Sequence, residues 1–478
     1  MYLIHTSCAS GVKEMMKNNL NLFKLLGLGT LSAAGGVFIS RKAIDFISDR
    51  IAYLITTEKY NQNIWELFTS IQRFNPNVLV ETELRAHTKS FIERPIGGPR
   101  RFKFLQDIFF NIAQLETLPT IRETNIDTSV IIGPQAKQPL HLAIPILAGG
   151  MGYGLALTED YKVAIAKGTN IAGTATNTGL GPWLESERKA AKYLIVQYSR
   201  VNWNKEEYIL KQSDAIEIQF GHGANAGTGK TKKAETIGKK LRKRMGLRKG
   251  QDAVIHNRIE GVNSEKDLKS LVDYLKDITG GVPVGVKIGA GKYVEGDLEI
   301  AVNSGADFVS VDGGEGGTHG SLPILEDDFG LPGMIAAARA AKFWAKHGLK
   351  GKVSLLVGGG ISTPGECLKM LALGADAVYM GTAILFAVTH TQVLKVLPYE
   401  PPPEIAYYHG KKSGQYNIKK GAKSLARFLH ATVYEMEEAV KALGKTSTRE
   451  VSKEDIVTIN RDVAEIAGID LAFHALKR

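Results

Sequence analysis

The sequence predicts a parallel (β/α)8 barrel with a helical N-terminal extension and C-terminal helices. Eight short apolar runs have strand length, and helix-length segments such as Leu268–Asp277 and Pro332–Lys346 separate most of them. The predicted strands are Leu142–Ala148, Thr169–Ala175, Tyr193–Ser199, Ala215–Gly221, Val284–Ala290, Asp307–Gly313, Val353–Gly359 and Ala377–Thr382. The 478 residues, 44% of them hydrophobic, suffice for one domain of barrel size with additions at both ends.

On this interpretation the chain has four parts. Residues 1–60 form a membrane anchor or a packing helix, residues 61–128 a helical extension, residues 129–395 the barrel, and residues 396–478 a helical tail packed on it. Leu25–Ser40 is uncharged and has basic flanks, but it is shorter than the roughly 20 residues that a spanning helix needs. Both interpretations stay open, and the first would place the protein on the cytoplasmic side of a membrane, anchored by this helix.

The charge balance favours acidic partners. The formal net charge is +11, and residues 230–249 contain ten Lys or Arg and a single acid, Glu235. This run is either a solvated helix face or flexible loop, or a docking surface for an acidic partner or an anionic membrane surface. It has no aromatic residue on which a base could stack, so nucleic acid is not expected as a partner.

Two neighbouring strand ends carry the pattern of a phosphate site. Val353–Val357 runs directly into Gly358, Gly359 and Gly360, and Thr363-Pro364 then has the character of a helix N-cap and first turn. The next strand ends in a second small-residue turn at Gly381-Thr382. Backbone N–H groups beside helix N-termini bind phosphate, and the loops after the last two strands of a barrel commonly form such a site.

A lysine and a glycine-rich loop extend this pattern. Lys287 lies within the fifth predicted strand, where a buried ammonium needs a partner, either an ion pair with a residue such as Asp312 or a bound ligand. The loop after the sixth strand contains Gly316 and Gly317, which allow close approach of a planar or anionic ligand. A phosphate site on the last two strands with a lysine on the fifth indicates an FMN barrel.

Several motifs, in order, resemble the FMN-binding domain of glutamate synthase, especially the stand-alone archaeal type. They are AGTATNTG (172–179), GHGANAGTG (221–229), LVGGGIST, VYMGTA and a long run from VKIGAGKYVEG to VDGGEGGTHGS. The resemblance covers residues 125–470 approximately and implies FMN at the carboxyl face of the barrel. The cofactor-binding residues that follow from the motifs and the resemblance are Gly150, Met151, Gly152, Asn177, Thr178, Lys287, Gly316, Gly317, Gly358, Gly359, Gly360, Gly381 and Thr382.

The sequence departs from this family in its electron supply and its substrate pocket. No glutaminase domain is expected, so no glutamine-derived ammonia would arise within this chain. No cysteine triplet follows Gly381-Thr382, so no iron–sulfur cluster is expected and an external electron donor or reductase subunit is implied. No metal site is predicted. Family members place cationic and acidic side chains at the positions expected to bind substrate, which here are Leu180, Gln219, His222 and Asn225. Loss of two cations predicts a less anionic, more apolar substrate than 2-oxoglutarate.

Two residues are candidates for catalysis, Lys287 beside the ring and His319. His319 replaces a family glycine and is either an acid/base near the ring or a loop residue facing solvent. The expected function is an FMN-dependent oxidoreductase of the glutamate synthase-like type that acts on an imino or keto acid or a related small molecule. The alternatives are a glutamate N-methyltransferase-type subunit and a non-catalytic flavin-binding electron-transfer or scaffold subunit of a membrane complex. Association into oligomers is compatible with the sequence.

Overall fold

A computed structural model describes residues 41–88, 91–100, 102–318, 320–390, 392–396 and 401–473. The chain divides into two units between Ile92 and Glu93. The described part of the first unit is helical and comprises residues 41–57, Trp65–Arg73 and Pro76–Thr88. None of the helices within the described ranges combines the length and apolar character needed to cross a bilayer. The segment predicted as an anchor or packing helix, Leu25–Ser40, lies outside these ranges.

The second unit is built around eight parallel strands, which confirms the predicted barrel. The strands are β1 Ile146–Ala148, β2 Ala175–Asn177, β3 Tyr193–Tyr198, β4 Ala215–Gln219, β5 Val284–Gly289, β6 Phe308–Asp312, β7 Ser354–Gly358 and β8 Ala377–Met380. Around the sheet the hydrogen-bonded order is β1-β8-β7-β6-β5-β4-β3-β2. The barrel is nearly closed between β1 and β2, where Thr174 Oγ1 donates to the Ile146 carbonyl at 2.6 Å.

Helices follow the strands and cover the outside of the sheet. The barrel helices are α1 Glu159–Ile171, α2 Glu185–Ala190, α3 Glu207–Leu210, α4 Glu265–Ile278, α5 Val294–Asn303, α6 Gly333–Lys346, α7 Pro364–Leu373 and α8 Thr382–Thr389. The predicted start of α7 is confirmed, since Thr363 is the N-cap of a capping box with Glu366. The buried apolar faces of strands and helices together form the main core.

The first two strand predictions were misplaced. The predicted strand Leu142–Ala148 is interrupted at Pro145, which has no N–H to donate, so its first residue pairs in a separate hairpin and β1 begins after the proline. The predicted strand Thr169–Ala175 overlaps the end of α1, where the Thr169 hydroxyl donates back to the Ile165 carbonyl. Gly173, at φ +72°, makes the turn from which β2 starts.

A hairpin closes the amino end of the barrel. Val130–Ile132 pairs antiparallel with Leu140–Leu142, and the two strands bury their apolar side chains against the first residues of the barrel strands. Phe308, at the start of β6, fills the space beside Gly285, where a Cβ would lie 2.3 Å from its ring. The amino end is therefore packed, and the carboxyl ends of the strands are the face left for a ligand.

The residues flanking the barrel differ in part from the predicted helical extension and tail. Between residues 91 and 128 the described chain is loop with one short strand, Ile108–Phe110, that pairs antiparallel with Ile456–Thr458. Within the described residues, the helices of the extension thus lie before residue 89. The tail contains α9 Ile418–Ala442 and α10 Arg461–Ala467. Leu425 of α9 packs on Gly168 of α1, where any larger residue would clash, since a Cβ would lie 2.8 Å from the leucine.

The basic run is an ordered insertion between β4 and α4. Lys230–Lys232 pairs antiparallel with Ala253–Ile255, and the helix Lys239–Arg244 lies between them in sequence. The insertion has a small core of its own, in which Ile237, Leu241 and Met245 are buried together with residues of the first three barrel loops. A flexible loop, one of the predicted alternatives, is wrong for this segment, because its backbone is paired and its apolar face is packed.

Candidate active site at the carboxyl end of the barrel

The two predicted phosphate turns differ in how strictly the backbone requires glycine. Gly359 and Gly360 have φ of +105° and +73°, so the turn after β7 excludes ordinary side chains on conformational grounds. Gly381 at the start of α8 has φ −110° and open space where a Cβ would be. The N–H groups of Gly359, Gly360, Gly381 and Thr382 donate to no other described residue. Four such donors beside a helix N-terminus fit an anionic ligand oxygen.

The glycines of the β6 loop lie against the same helix end. A Cβ on Gly317 would be 2.6 Å from Thr382 Oγ1 and 2.9 Å from the Ile96 carbonyl. Gly97, at φ +123°, in turn approaches the Cα of Gly317. The Gly316-Gly317 turn and the segment around Gly97 therefore meet the start of α8, where the predicted phosphate would be bound.

The β7 turn borders a cavity that is lined by carboxylates. Glu315 accepts a hydrogen bond from the N–H of Gly333 at 2.7 Å, at the first turn of α6. Together with Glu366 it lines a cavity of about 260 Å³ beside Gly359 and Gly360. Two carboxylates repel a phosphate, so this cavity is unsuited to one.

The turns after β1 and β2 form a shelf of bare backbone. A Cβ on Gly150 would lie 2.9 Å from Asn177 Oδ1. A Cβ on Gly179, at φ +63°, would lie 2.6 Å from the Gly152 nitrogen. Met151 stands between these glycines and is partly buried against the core. A surface so free of side chains can support a flat ring system, as the resemblance predicts.

Asn177 is fixed from three directions. Its Nδ2 donates to Glu217 Oε1 at 3.0 Å, its Oδ1 accepts from the Gly179 N–H at 2.9 Å, and its carbonyl accepts from Lys162 Nζ at 2.7 Å. Lys162 also forms a fully buried ion pair with Glu187 at 2.9 Å. This amide therefore holds one position at the base of the shelf.

Below the shelf the barrel interior contains a polar layer centred on Glu217. The carboxylate is fully buried and accepts hydrogen bonds from Asn177, from Gln197 at 2.8 Å and from Ser310 at 3.0 Å. Burial, together with the Glu217 charge, raises the pKa of the Tyr379 phenol well above its usual value, so Tyr379 stays protonated. Of these residues, only Asn177 was predicted as part of the site.

Lys287 is the buried cation of the mouth. Its ammonium lies 3.1 Å from Asp312 Oδ2 and 4.9 Å from the centre of the Tyr379 ring. Burial alone would lower its pKa, but the carboxylates of Asp312 and Glu217 outweigh burial and raise the pKa, so the side chain is charged. The two predicted roles of Lys287, an ion pair with Asp312 and contact with a bound ligand, are both compatible with this geometry. An ion-paired ammonium at the carboxyl end of the barrel, here called the barrel mouth, still has hydrogens to donate.

Two of the predicted substrate residues lie beside Lys287. Gln219 is its register partner on β4, is buried, and has an Oε1 without a hydrogen-bond partner among the described residues. His222 lies close enough to Lys287 and Arg200 that burial and these two charges lower its pKa to about 3. His222 is therefore a neutral imidazole at pH 7.

A cavity of about 520 Å³ adjoins His222. Its lining is mostly glycine and apolar residues such as Phe220, Leu268 and Ile288, and it also contains the carboxylates of Glu265 and Asp297. This surface suits an apolar or weakly polar group rather than a second carboxylate.

Arg200 is the main candidate site residue that the sequence prediction missed. It lies two residues beyond the end of β3, and only 1% of its surface is exposed. Its Nη1 donates to the Gly227 carbonyl, but Nε and Nη2 have no partner among the described residues. Burial lowers its pKa to about 10, so it remains charged at neutral pH. Its position one residue beyond a predicted strand was the available indication, because charged residues at the carboxyl ends of barrel strands usually serve the site.

The remaining predicted residues have structural roles or are not described. Asn225 Oδ1 accepts from the Gly227 N–H at 3.1 Å and holds the β4 turn. Thr178 Oγ1 accepts from the Gln197 N–H at 2.9 Å, and the Leu180 carbonyl accepts from Trp203 Nε1 at 2.7 Å. The catalytic candidate His319 lies outside the described residues. Among the described residues there is no cluster of three or more His, Cys, Asp or Glu that could hold a metal ion.

The neutral state of His222 predicts a specific pH dependence of stability. The unfolded chain protonates this ring below about pH 6.5, whereas the folded chain does so only near pH 3, so acidification through this window favours unfolding. From pH 7 to pH 5 the group should cost at most about 2 kcal/mol of unfolding free energy. Denaturant titrations of a His222→Gln variant should show a smaller loss over this range. The same change at exposed His430 is the control, and equal losses in both variants would contradict the assignment.

A parallel (β/α)8 barrel with cationic and hydrogen-bonding groups at the carboxyl ends of its strands is the architecture of barrel enzymes. Residues 105–446 match the model of the conserved region in glutamate synthase, which is more than half of the chain. The chain therefore belongs to the glutamate synthase conserved-region family, as the motifs predicted.

Curated relatives agree with this assignment. A glutamate synthase large subunit-like protein of Rhizobium meliloti is 30% identical over 421 residues, which cover 84% of this chain and 94% of that protein. The archaeal-type glutamate synthase (NADPH) of Thermotoga maritima is 29% identical over 323 residues, 67% of this chain and 64% of that protein. The chain thus spans less than two thirds of the latter's length. Among solved structures, a flavocytochrome b2 variant with sulfite bound superimposes with a TM-score of 0.50 at 16% identity, covering 82% of this chain and 85% of that one. This likeness concerns the fold alone.

Proposed function

We propose that the protein is an FMN-dependent oxidoreductase that acts on a small keto or imino acid with a single carboxylate. The observation that supports it most directly is that the glycine turns lie at the same end of the barrel as two buried cations, Lys287 and Arg200. Of these two, Arg200 has no acidic partner among the described residues.

The residues present fit FMN. The four unpaired N–H groups of the turns after β7 and β8 suit its phosphate, and the glycine shelf suits a flat ring. When bound, FMN would supply reversible two-electron hydride chemistry. Gly359, Gly360, Gly381 and Thr382 would hold the phosphate end, and the turn Gly150 to Gly152 would support the ring.

Lys287 is the residue suited to the charge that accompanies flavin reduction. Its ammonium is held by Asp312 and stays protonated, so it can donate to an electron-rich ring edge without changing its own charge. Because Asp312 already balances this cation, Lys287 is poorly placed to pair with a substrate carboxylate as well.

Arg200 is the cation suited to substrate. A buried guanidinium with two unpaired nitrogens carries a desolvation cost that a carboxylate would relieve through charge-assisted hydrogen bonds. The neighbouring His222 is neutral and Gln219 offers an amide, so both can bond a carbonyl or imine without adding charge. With one such cation, and an apolar cavity beside His222, the site favours one carboxylate and a short apolar group over a dicarboxylate.

Anaerobic reoxidation tests this substrate class. The reduced flavoprotein would be mixed with ammonium and either pyruvate, a monocarboxylate, or 2-oxoglutarate, a dicarboxylate. Faster flavin reoxidation with pyruvate, and formation of the matching amino acid, is expected because the second carboxylate of 2-oxoglutarate has no cation to meet. Rapid reoxidation by 2-oxoglutarate with glutamate as product would instead identify an ordinary glutamate synthase activity.

A further inference from the structure

We infer that the basic insertion, residues 230–249, docks a small acidic electron-carrier protein at the rim of the barrel mouth. The partner's redox role rests on the proposed function, whereas the docking itself rests on charge and geometry alone.

The insertion presents a fixed surface. Its helix Lys239–Arg244 buries Leu241, and the antiparallel hairpin at its base holds both ends. Lys240 reaches Glu159 of α1 at 2.5 Å, and Arg244 donates to the Trp183 carbonyl at 3.4 Å. Lys240 and Arg244 are thus held against the barrel loops, and the ordered helix backbone sets where Lys239 and Lys243 emerge. A protein partner therefore meets a surface whose backbone is already ordered.

Part of the charge is neutralised within the chain and part is not. Lys230 pairs with Glu93 at 2.8 Å and Lys233 with Asp252 at 3.1 Å. The exposed cations without an ion pair to any described residue are Lys239, Lys243, Arg248 and Lys249. No internal partner explains this set, and a concentrated positive field of this kind attracts an acidic surface.

The helix Lys239–Arg244 packs against the loop that follows the predicted ring-supporting turn. Leu241 fills the space beside Gly154, where a Cβ would lie 2.2 Å from its Cδ1, and Tyr153 shares the small core with it. Gly154 and Tyr153 directly follow the predicted ring-supporting turn Gly150 to Gly152. A protein bound on the exposed side of the helix would thus lie next to the loop that carries this turn.

The chain also needs an electron source beyond its own residues. Cys8 and Cys367 are the only cysteines in the 478 residues, too few for an iron–sulfur cluster with cysteine ligands. Hydride transfer consumes two electrons, so a one-electron carrier would have to dock twice per turnover and leave oxidised each time. A surface based on charge with few fixed contacts suits such brief encounters.

Binding measurements test the inference independently of flavin content. The full chain would be titrated by calorimetry with an acidic plant-type ferredoxin and with an acidic flavodoxin, at about 50 mM and about 300 mM salt. A triple variant, Lys239→Glu, Lys243→Glu and Lys249→Glu, would be compared with Lys419→Glu, Lys420→Glu and Lys423→Glu, which reverses three exposed lysines on α9. The flavin content of every preparation is measured separately, so that a wrong FMN assignment is recognised as such.

At least one carrier should bind at low salt and bind more weakly at high salt. The insertion variant should weaken this binding by about tenfold or more, and the α9 variant should leave it near the wild-type value. Equal effects of the two triple variants, or no binding of either carrier at low salt, would overturn the inference. So would a wild-type chain that binds phosphatidylserine vesicles or RNA through these lysines and neither carrier.

Discussion

The Gly381→Asp variant is expected to fold and to purify without FMN. Gly381 has an ordinary negative φ and open space at its Cβ position, so the backbone accepts an aspartate. The new carboxylate would stand at the first turn of α8, where the proposed phosphate oxygens accept from the N–H groups of Gly381 and Thr382. Repulsion between the two anions, added to the lost space, should abolish detectable binding, measured by flavin absorbance and by titration of the purified variant with FMN.

Gly365→Asp is the matched control. Gly365 lies in the first turn of α7, is exposed, and also has open space at its Cβ position, but it is not among the residues assigned to the phosphate. This variant should keep its flavin. Normal FMN content in Gly381→Asp, with thermal stability like the wild type, would mean that the phosphate is held elsewhere.

The second large effect is expected at Arg200. Replacement by methionine removes the cation proposed to bind the substrate carboxylate, and each charge-assisted hydrogen bond is worth about 1.5–3 kcal/mol. Two such bonds predict that the affinity for a monocarboxylate keto acid falls by about 100-fold or more, measured by calorimetry with pyruvate. The unfolding free energy should change little, because the lost bond to the Gly227 carbonyl is offset by removal of a buried charge.

Arg200→Lys separates charge from geometry. Lysine keeps the positive charge but lacks the planar pair of donors, so an intermediate affinity is expected. FMN content should be unchanged in both variants, since Arg200 is assigned to substrate alone. If both variants bind pyruvate as the wild type does, the guanidinium has a structural role and the proposed substrate class is wrong.

The barrel was predictable because residues typical of turns and helix caps bound most of its strands in the sequence. The runs that became β3 to β8 are short, apolar and bounded by Gly, Pro or helix-capping residues, and each is within two residues of its predicted limits at both ends. The turns at Gly358 to Gly360 and at Gly381 were also placed correctly at strand ends. The two misplaced strands failed where a proline and a threonine hydrogen bond interrupted otherwise apolar runs.

The polar interior of the site was harder to predict. Glu217 sits in the middle of an apolar strand, and its role depends on donors from β2, β3 and β6, which lie next to it only in the folded barrel. Asn225 was predicted from a motif position to contact substrate, and its Oδ1 accepts a hydrogen bond within the β4 turn. Its contact with substrate stays a prediction. Arg200 could be recognised as a candidate only once its burial was known, because most charged residues in loops are exposed.

The identity of the bound cofactor is the most direct test of the whole account. Full-length protein would be purified, its visible spectrum recorded, and any released chromophore identified after denaturation. The expected result is a yellow protein that releases FMN, one per chain, and regains it when the apoprotein is mixed with FMN. A colourless protein that stays without flavin in excess FMN would contradict the assignment of the barrel mouth.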